Sequence, residues 1–344
     1  MNNSFDKQDS ADTLTEHPNI RTSEQPHKLS DGTLEITTKV GCPLNCRACP
    51  QSLFIKRYLQ KRPWESETLE HRPMILSFGD FKTFMNKLPA SVLIAFAAFG
   101  EPQTNPAFAD MVLYAHSLGH PIELYSTLVG MTKESYEKIR TVPFKVMVLH
   151  IPDRDGNSHF TISEEYLELV NLVLADVAAG RFRITGYSCH GPVHPLIADI
   201  FKKNALPVPV TAFGNLNDRA GNLKDADVRH SAYVPGPIFC RTARRDFNHN
   251  VLLPDGTVCL CCMDFGMDYI LGNLLTQSYE EIMQGDVLQK LRHCMKSEKN
   301  GDCLCRHCAY TMNRFIYAKY LIRRTISRLI PKPVKRHIKR LLKK

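Results

Sequence analysis

Three cysteines stand close together in the segment Gly41-Cys42-Pro43-Leu44-Asn45-Cys46-Arg47-Ala48-Cys49-Pro50. The spacing C-x3-C-x2-C gathers three thiolates in one loop. Such a loop can hold three corners of a cubic [4Fe–4S] cluster and leave the fourth iron without a protein ligand. An iron with an open position can bind a further molecule, as an open zinc site does. Zinc is the alternative, and it calls for a fourth Cys or His nearby. A disulfide is disfavoured by the odd count and by the absence of an apolar signal segment in the first 30 residues.

The loop sits in a regular context. Short apolar runs at 34–40, 92–99, 122–127, 144–150, 182–186 and 208–213 read as strands. Helical segments are expected between them near 80–88, 106–118, 132–140, 163–179 and 194–204, with Ser163 as an N-cap and Gly180 as a stop. Strand–helix alternation repeated about six times implies an α/β fold with a parallel sheet, as a barrel or doubly wound. Ligands of such sheets lie at the carboxyl ends of the strands. The cysteine loop follows the first strand and so falls at that end.

A C-x3-C-x2-C loop after the first strand of a sixfold strand–helix pattern resembles the radical S-adenosylmethionine (radical SAM) family over roughly residues 33–235. The resemblance implies a partial (β/α)6 barrel and a [4Fe–4S] cluster on Cys42, Cys46 and Cys49. It further implies SAM on the open iron, cleaved by one electron to methionine and a 5′-deoxyadenosyl radical that takes a hydrogen from substrate. Strand two ends in Phe99-Gly100-Glu101-Pro102, similar to the family's Gly-Gly-Glu-Pro motif with Phe99 in place of the first Gly. Gly100 and Glu101 would then hold the SAM ammonium, as a charge-assisted pair. Tyr125-Ser126-Thr127 is similar to the turn after strand three, where Ser126 or Thr127 would bond SAM or cap the turn. His150 and Asp153 after strand four, His190 after strand five and Arg219 in the loop after strand six are candidates for the rim of the site. Each also has an ordinary structural reading. Cys189 reads as a small core residue.

Eight of the 12 cysteines lie between Cys240 and Cys308. Cys240, Gly256, Cys261, and then Cys305-Arg306-His307-Cys308 resemble the C-terminal module of the SPASM/Twitch subgroup. The resemblance implies an auxiliary [4Fe–4S] cluster on Cys240, Cys261, Cys305 and Cys308. Cys259, Cys262, Cys294 and Cys303 are spare, and Cys262 or Cys303 could replace a nominated ligand. A structural zinc on the same thiolates is the alternative.

From Lys319 to Lys344 the chain carries 11 Lys and Arg and no acid. Ile322, Ile326, Leu329 and Ile330 fall at helical spacing, and Val334, Ile338, Leu341 and Leu342 repeat it after Pro331 and Pro333. Basic amphipathic helices suit an anionic membrane surface, with nucleic acid or a docking partner as rivals. The net charge of +9 is therefore local: with those 11 removed, residues 1–318 carry −2.

Four regions are expected: a disordered segment 1–32, a radical SAM core 33–235, a SPASM/Twitch-like module 236–315 and a basic tail 316–344. The expected function is a radical SAM oxidoreductase or modifying enzyme acting on a peptide or a saccharide- or cyclitol-like alcohol. Flavodoxin or ferredoxin would supply electrons. The lack of a leader-binding domain before residue 33 disfavours a peptide. The contrasting class is a non-catalytic iron–sulfur or zinc protein that binds nucleic acid or a partner through its tail. With no run of about 18 apolar residues, the chain is expected in the cytoplasm, peripheral to the membrane if the tail binds it.

Overall fold

The computed structural model describes residues 32–44, 46–60, 72–209, 217–224, 228–242 and 247–329, the last seven as backbone only. Its centre is an eight-stranded sheet in the order β5-β4-β3-β2-β1-β7-β8-β9. The first five strands are β1 (Thr33–Ile36), β2 (Leu93–Phe96), β3 (Ile122–Ser126), β4 (Val146–His150) and β5 (Gly186–Ser188), each parallel to its neighbour. Helices cross between them: α1 (Gln51–Gln60), α2 (Phe78–Met85), α3 (Phe108–Ser117), α4 (Lys133–Ile139), α5 (Glu164–Ala178) and α6 (Pro195–Lys203). This is the α/β architecture of a partial barrel.

The helices start where side chains satisfy their free N–H groups. Ser77, Thr132 and Ser163 each accept a backbone N–H as N-caps of α2, α4 and α5. Alternate strand residues then face two ways. Leu34, Ile36, Ile94, Phe96 and Leu124 are buried in the core shared with the helices. Glu35, Ala95, Glu123 and Tyr125 point the other way and line the interior cavity. Charged residues in buried strands carry a desolvation cost unless they are paired, so their place on the cavity side already marks it as functional.

Several elements differ from expectation. Helix α1, directly behind the cysteine loop, was not anticipated; its Phe54 and Tyr58, one turn apart, pack with Phe99 and Phe265. Strand five begins at Gly186 rather than 182, because the Phe182 ring is packed edge-on against Tyr136 and Phe144 in the core. Most of the expected sixth strand, at 208–213, lies outside the described residues. The sixth parallel strand among the described residues is β7 (His249–Leu252), which pairs with β1. β8 (Thr257–Cys259) and β9 (Ile270–Asn273) extend the sheet antiparallel. Thus a hairpin from the expected C-terminal module completes the barrel's sheet.

A two-stranded ribbon of β6 (Ile238–Cys240) and β10 (Thr311–Asn313) stands beside it. Helices α7 (Tyr279–Gln284) and α8 (Asp286–Lys296) pack against this end, α7 opening on a capping box between Ser278 and Glu281. The basic tail begins as α9 (Arg314–Leu329). The expected disordered segment and the last part of the tail, 330–344, lie outside the described residues. Among the described residues, no helix is long and apolar enough to cross a membrane.

Candidate active site and second cysteine centre

The chain leaves β1 through Gly41, whose φ of +89° turns the backbone into the cysteine loop. The loop is then held by backbone bonds: Cys49 N–H donates to Cys46 O, and Arg47 N–H donates to Asn157 O. Cys42, Cys46 and Cys49 all line one cavity of about 270 Å³ within the barrel. Burial pushes Cys42 up to about 11 and Cys49 up to about 12, and Cys46 rises for the same reason. In the metal-free protein these thiols keep their protons, and loading a metal centre must release them.

Glu101 stands on the same cavity wall, 5 % exposed. One carboxylate oxygen accepts Ser126 Oγ at 2.7 Å; the other accepts Thr127 N–H at 2.9 Å and Thr127 Oγ1 at 2.7 Å. All three donors are neutral. Burial raises the carboxyl to about 7, offset in part by those hydrogen bonds. Ser126 Oγ also meets Gln103 and accepts Leu128 N–H, so the hydroxyls are fixed in a network. Gly100 lets the strand-two loop approach β1's exit, since a Cβ there would sit 3.0 Å from Lys39 O. Phe99 keeps the cavity wall apolar, its ring 4.5 Å from Phe54 and 4.6 Å from Phe265.

The remaining candidates separate. His150 and His190 line the cavity, and burial with the Arg219 charge lowers His190. Asp153 is buried but shapes a turn: it accepts Asn157 N–H, Asn157 Nδ2 and Ser158 N–H. Through Asn157 O it supports the cysteine loop from behind. Arg219 reaches that loop directly, Nε donating to Ala48 O at 3.2 Å.

Sequence reasoning missed a half-buried pair lining the cavity. His249 Nε2 lies 2.5 Å from Glu35 Oε1, between β7 and β1. Glu123, with Tyr125 Oη donating to it at 3.2 Å, faces the same space. A charged residue inside an otherwise apolar strand was the available signal for both acids.

The second centre is assembled from distant segments. Pairing of Thr311 with Cys240 brings the end of β6 beside the turn that carries Cys305 and Cys308. Cys261 follows β8. Burial raises Cys261 well above the ordinary thiol range, with Cys308 and Cys240 adding to it. Cys308 is pushed up to about 12 by burial, again with Cys240 adding. Cys305 is raised by the Cys303 hydrogen bond, by burial, and by Cys261 and Cys240. Cys240, Cys261, Cys305 and Cys308 thus influence one another electrostatically, and Cys262, next in sequence to Cys261, raises it as well. Of the spare ones, Cys259 is core, and Cys189 is likewise buried as a core residue. Cys294 and Cys303 form a chain with Cys305; hydrogen bonding from Cys305 holds Cys303 down to about 6. Cys262 lines the barrel cavity while also acting on Cys261. Arg306, fully buried, ties the module together by donating to the carbonyls of Val234, Gly236 and Cys294.

The donor sets fit the groups that such sites hold. Three half-buried thiols on one loop line a common cavity, and a buried carboxylate whose side-chain and backbone donors are neutral lies on the same wall. Among the described residues, no group of His, Cys, Asp and Glu is arranged for a single metal ion.

Residues 240–309 match the SPASM family model, an iron–sulfur cluster-binding domain. No curated protein matches the sequence. Among solved structures, the chain resembles BtrN in complex with AdoMet and 2-DOIA, with a TM-score of 0.52 and 18 % identity over 82 % of this chain and 93 % of BtrN. It also resembles Streptococcus suis SuiB bound to precursor peptide SuiA, with a TM-score of 0.51 and 11 % identity over 80 % of this chain and 70 % of SuiB. These likenesses concern the fold. Residues 240–309 thus belong to the SPASM iron–sulfur cluster-binding family, and the fold with its cysteine loop after β1 resembles that of the radical SAM SPASM/Twitch enzymes.

Proposed function

We propose that this protein is a radical SAM enzyme that cleaves SAM reductively and takes a hydrogen from a saccharide- or cyclitol-like alcohol, oxidising it. One observation carries the reading: Cys42, Cys46, Cys49 and the buried Glu101 wall a single cavity inside the barrel. When bound, a [4Fe–4S] cluster with SAM supplies the electron that splits SAM into methionine and a 5′-deoxyadenosyl radical.

The chain's own residues do the rest. Cys42, Cys46 and Cys49 would hold that cluster through three thiolates. Glu101, oriented by Ser126 and Thr127, holds the SAM ammonium, which favours the ionised carboxylate despite its burial. Phe99 and Phe265 exclude water from the reacting space. Glu35, His249, Glu123 and Tyr125 present several hydrogen-bonding groups on the floor, a lining suited to a hydroxyl-rich molecule. The His249 imidazole, positioned by Glu35, accepts the hydroxyl proton when the alcohol carbon is oxidised. Cys240, Cys261, Cys305 and Cys308 would hold an auxiliary [4Fe–4S] cluster, which would supply an acceptor for the second electron. A flavodoxin- or ferredoxin-type donor supplies the first electron. The basic helix α9, with Phe315, Ile316 and Ile322 exposed, suits docking on an anionic membrane surface.

The test is anaerobic reconstitution, reduction with dithionite and assay of 5′-deoxyadenosine. Wild type should form it, and Cys46→Ala should not. A wild type that forms none, or a Cys46→Ala variant that still does, overturns the reading.

A further inference from the structure

Gln51 is the first residue of α1 and lies two positions beyond Cys49. It is 8 % exposed and lines the same cavity as Cys42, Cys46 and Cys49. The backbone around it is fixed: Phe54 N–H donates to Pro50 O, and the Phe54 ring packs 4.5 Å from that of Phe99. A glutamine at an exposed helix start bonds to water. This one is buried, so each end of its amide needs a partner from its surroundings.

Only one end has a partner. Oε1 accepts the Cys49 thiol, with Sγ at 3.5 Å. Nε2 is buried without a hydrogen-bond partner, an arrangement that costs free energy in the metal-free protein. The balance changes when Cys49 ligates iron. Its sulfur is then a thiolate, which accepts hydrogen bonds and cannot donate them. The amide oxygen beside it becomes repulsive. A half-turn about the last side-chain bond exchanges oxygen for nitrogen. That rotation gives the sulfur a charge-assisted donor and replaces an unmet donor by an unmet acceptor.

We propose that Gln51 is a positioning residue for the first cysteine site: its amide accepts the Cys49 thiol in the metal-free protein and turns to donate Nε2–H to the Cys49 sulfur once a cluster is bound. This rests on the reading that Cys42, Cys46 and Cys49 hold a [4Fe–4S] cluster. Hydrogen bonds to the sulfurs stabilise the reduced, more negative form of a cluster and raise its reduction potential. Gln51 therefore sets how readily the first site takes up an electron.

The experiment uses full-length reconstituted protein and EPR-monitored redox titration. The first cluster is the one whose signal changes on adding SAM. Wild type with no such cluster overturns the underlying reading, and the proposal with it, before Gln51 is altered. With that cluster present, Gln51→Met should shift its midpoint potential negative and leave the other cluster's unmoved. No shift, a positive shift, or equal shifts in both clusters would overturn the proposal. If Gln51→Met loads poorly, Gln51→Glu takes its place; it keeps the length and the acceptor but lacks the amide donor, and the same negative shift is expected. A second readout needs no loss of function. In SAM-free wild type carrying ¹⁵N in its glutamine side chains, pulsed EPR of the reduced cluster should show a ¹⁵N coupling that Gln51→Met or Gln51→Glu abolishes. Its absence in wild type, or its survival in the variant, overturns the proposal.

Discussion

Cys42, Cys46 and Cys49 come from one loop, whereas Cys240, Cys261, Cys305 and Cys308 come from segments spread between residues 240 and 308. The first set opens on the barrel cavity; the second lies by the pairing of β6 with β10, with the buried Arg306 between Cys305 and Cys308 in sequence. A contiguous loop brings its thiols together at small loop-closure cost, so its geometry survives local damage elsewhere. A set gathered from distant segments exists only once the surrounding structure has formed. The open site should therefore fail through chemistry, and the closed site through folding.

The largest expected effect separates the two directly. Cys46→Ala should abolish 5′-deoxyadenosine formation, while Cys308→Ala should keep substrate-free SAM cleavage and lose one cluster's iron. Equal loss of cleavage in both variants would break the distinction. Next comes Arg306→Met, which strips one buried and two half-buried carbonyls of their donor, at about 1–3 kcal/mol for the buried one. Its melting temperature should fall sharply and auxiliary iron should fall with it, while the first site still loads.

Glu101 gives a smaller, signed effect. Its folded-state pKa of about 7 exceeds the unfolded value of 4.5. In the metal-free protein it therefore contributes no penalty below the unfolded value. Stability is lost as pH rises through about 7, by roughly 3 kcal/mol in all. Thermal melts of wild type and Glu101→Gln should diverge in that window, the variant being flatter. SAM affinity has the opposite slope, weakening as pH falls through about 7, because the ammonium needs the ionised carboxylate. The smallest effect serves as a control: Ser278→Ala removes the α7 capping box at about 1 kcal/mol. Chemical denaturation should detect it, with both clusters still loading.

Legibility followed the same division. The C-x3-C-x2-C loop, the Gly100-Glu101 turn and four of the parallel strands are written in contiguous residues, and the sequence could be read for them. The α1 helix was missed although Leu53, Phe54, Ile55, Tyr58 and Leu59 recur at helical spacing; of these only Phe54 and Tyr58 are buried. The Glu35–His249 pair was missed because β1 and β7 are neighbours only through the sheet. Asp153 resembled a rim acid in sequence, yet its oxygens are occupied by the turn that follows it. The choice of Cys240, Cys261, Cys305 and Cys308 came through resemblance, with Cys262 and Cys303 as rivals that spacing alone does not separate.

The pairing of β7 with β1 has a mechanical meaning. A module joined through a linker can swing, but one whose strand is hydrogen-bonded into its neighbour's sheet moves only if that ladder breaks. The cavity floor and the cysteine-rich end are thus held in one continuous backbone lattice. Cutting the chain near residue 235 would not release a self-sufficient barrel; it would bare the long side of β1 as an unpaired edge, prone to aggregate. Anyone seeking to exchange the C-terminal end for that of another protein would have to carry β7 and its register along with it.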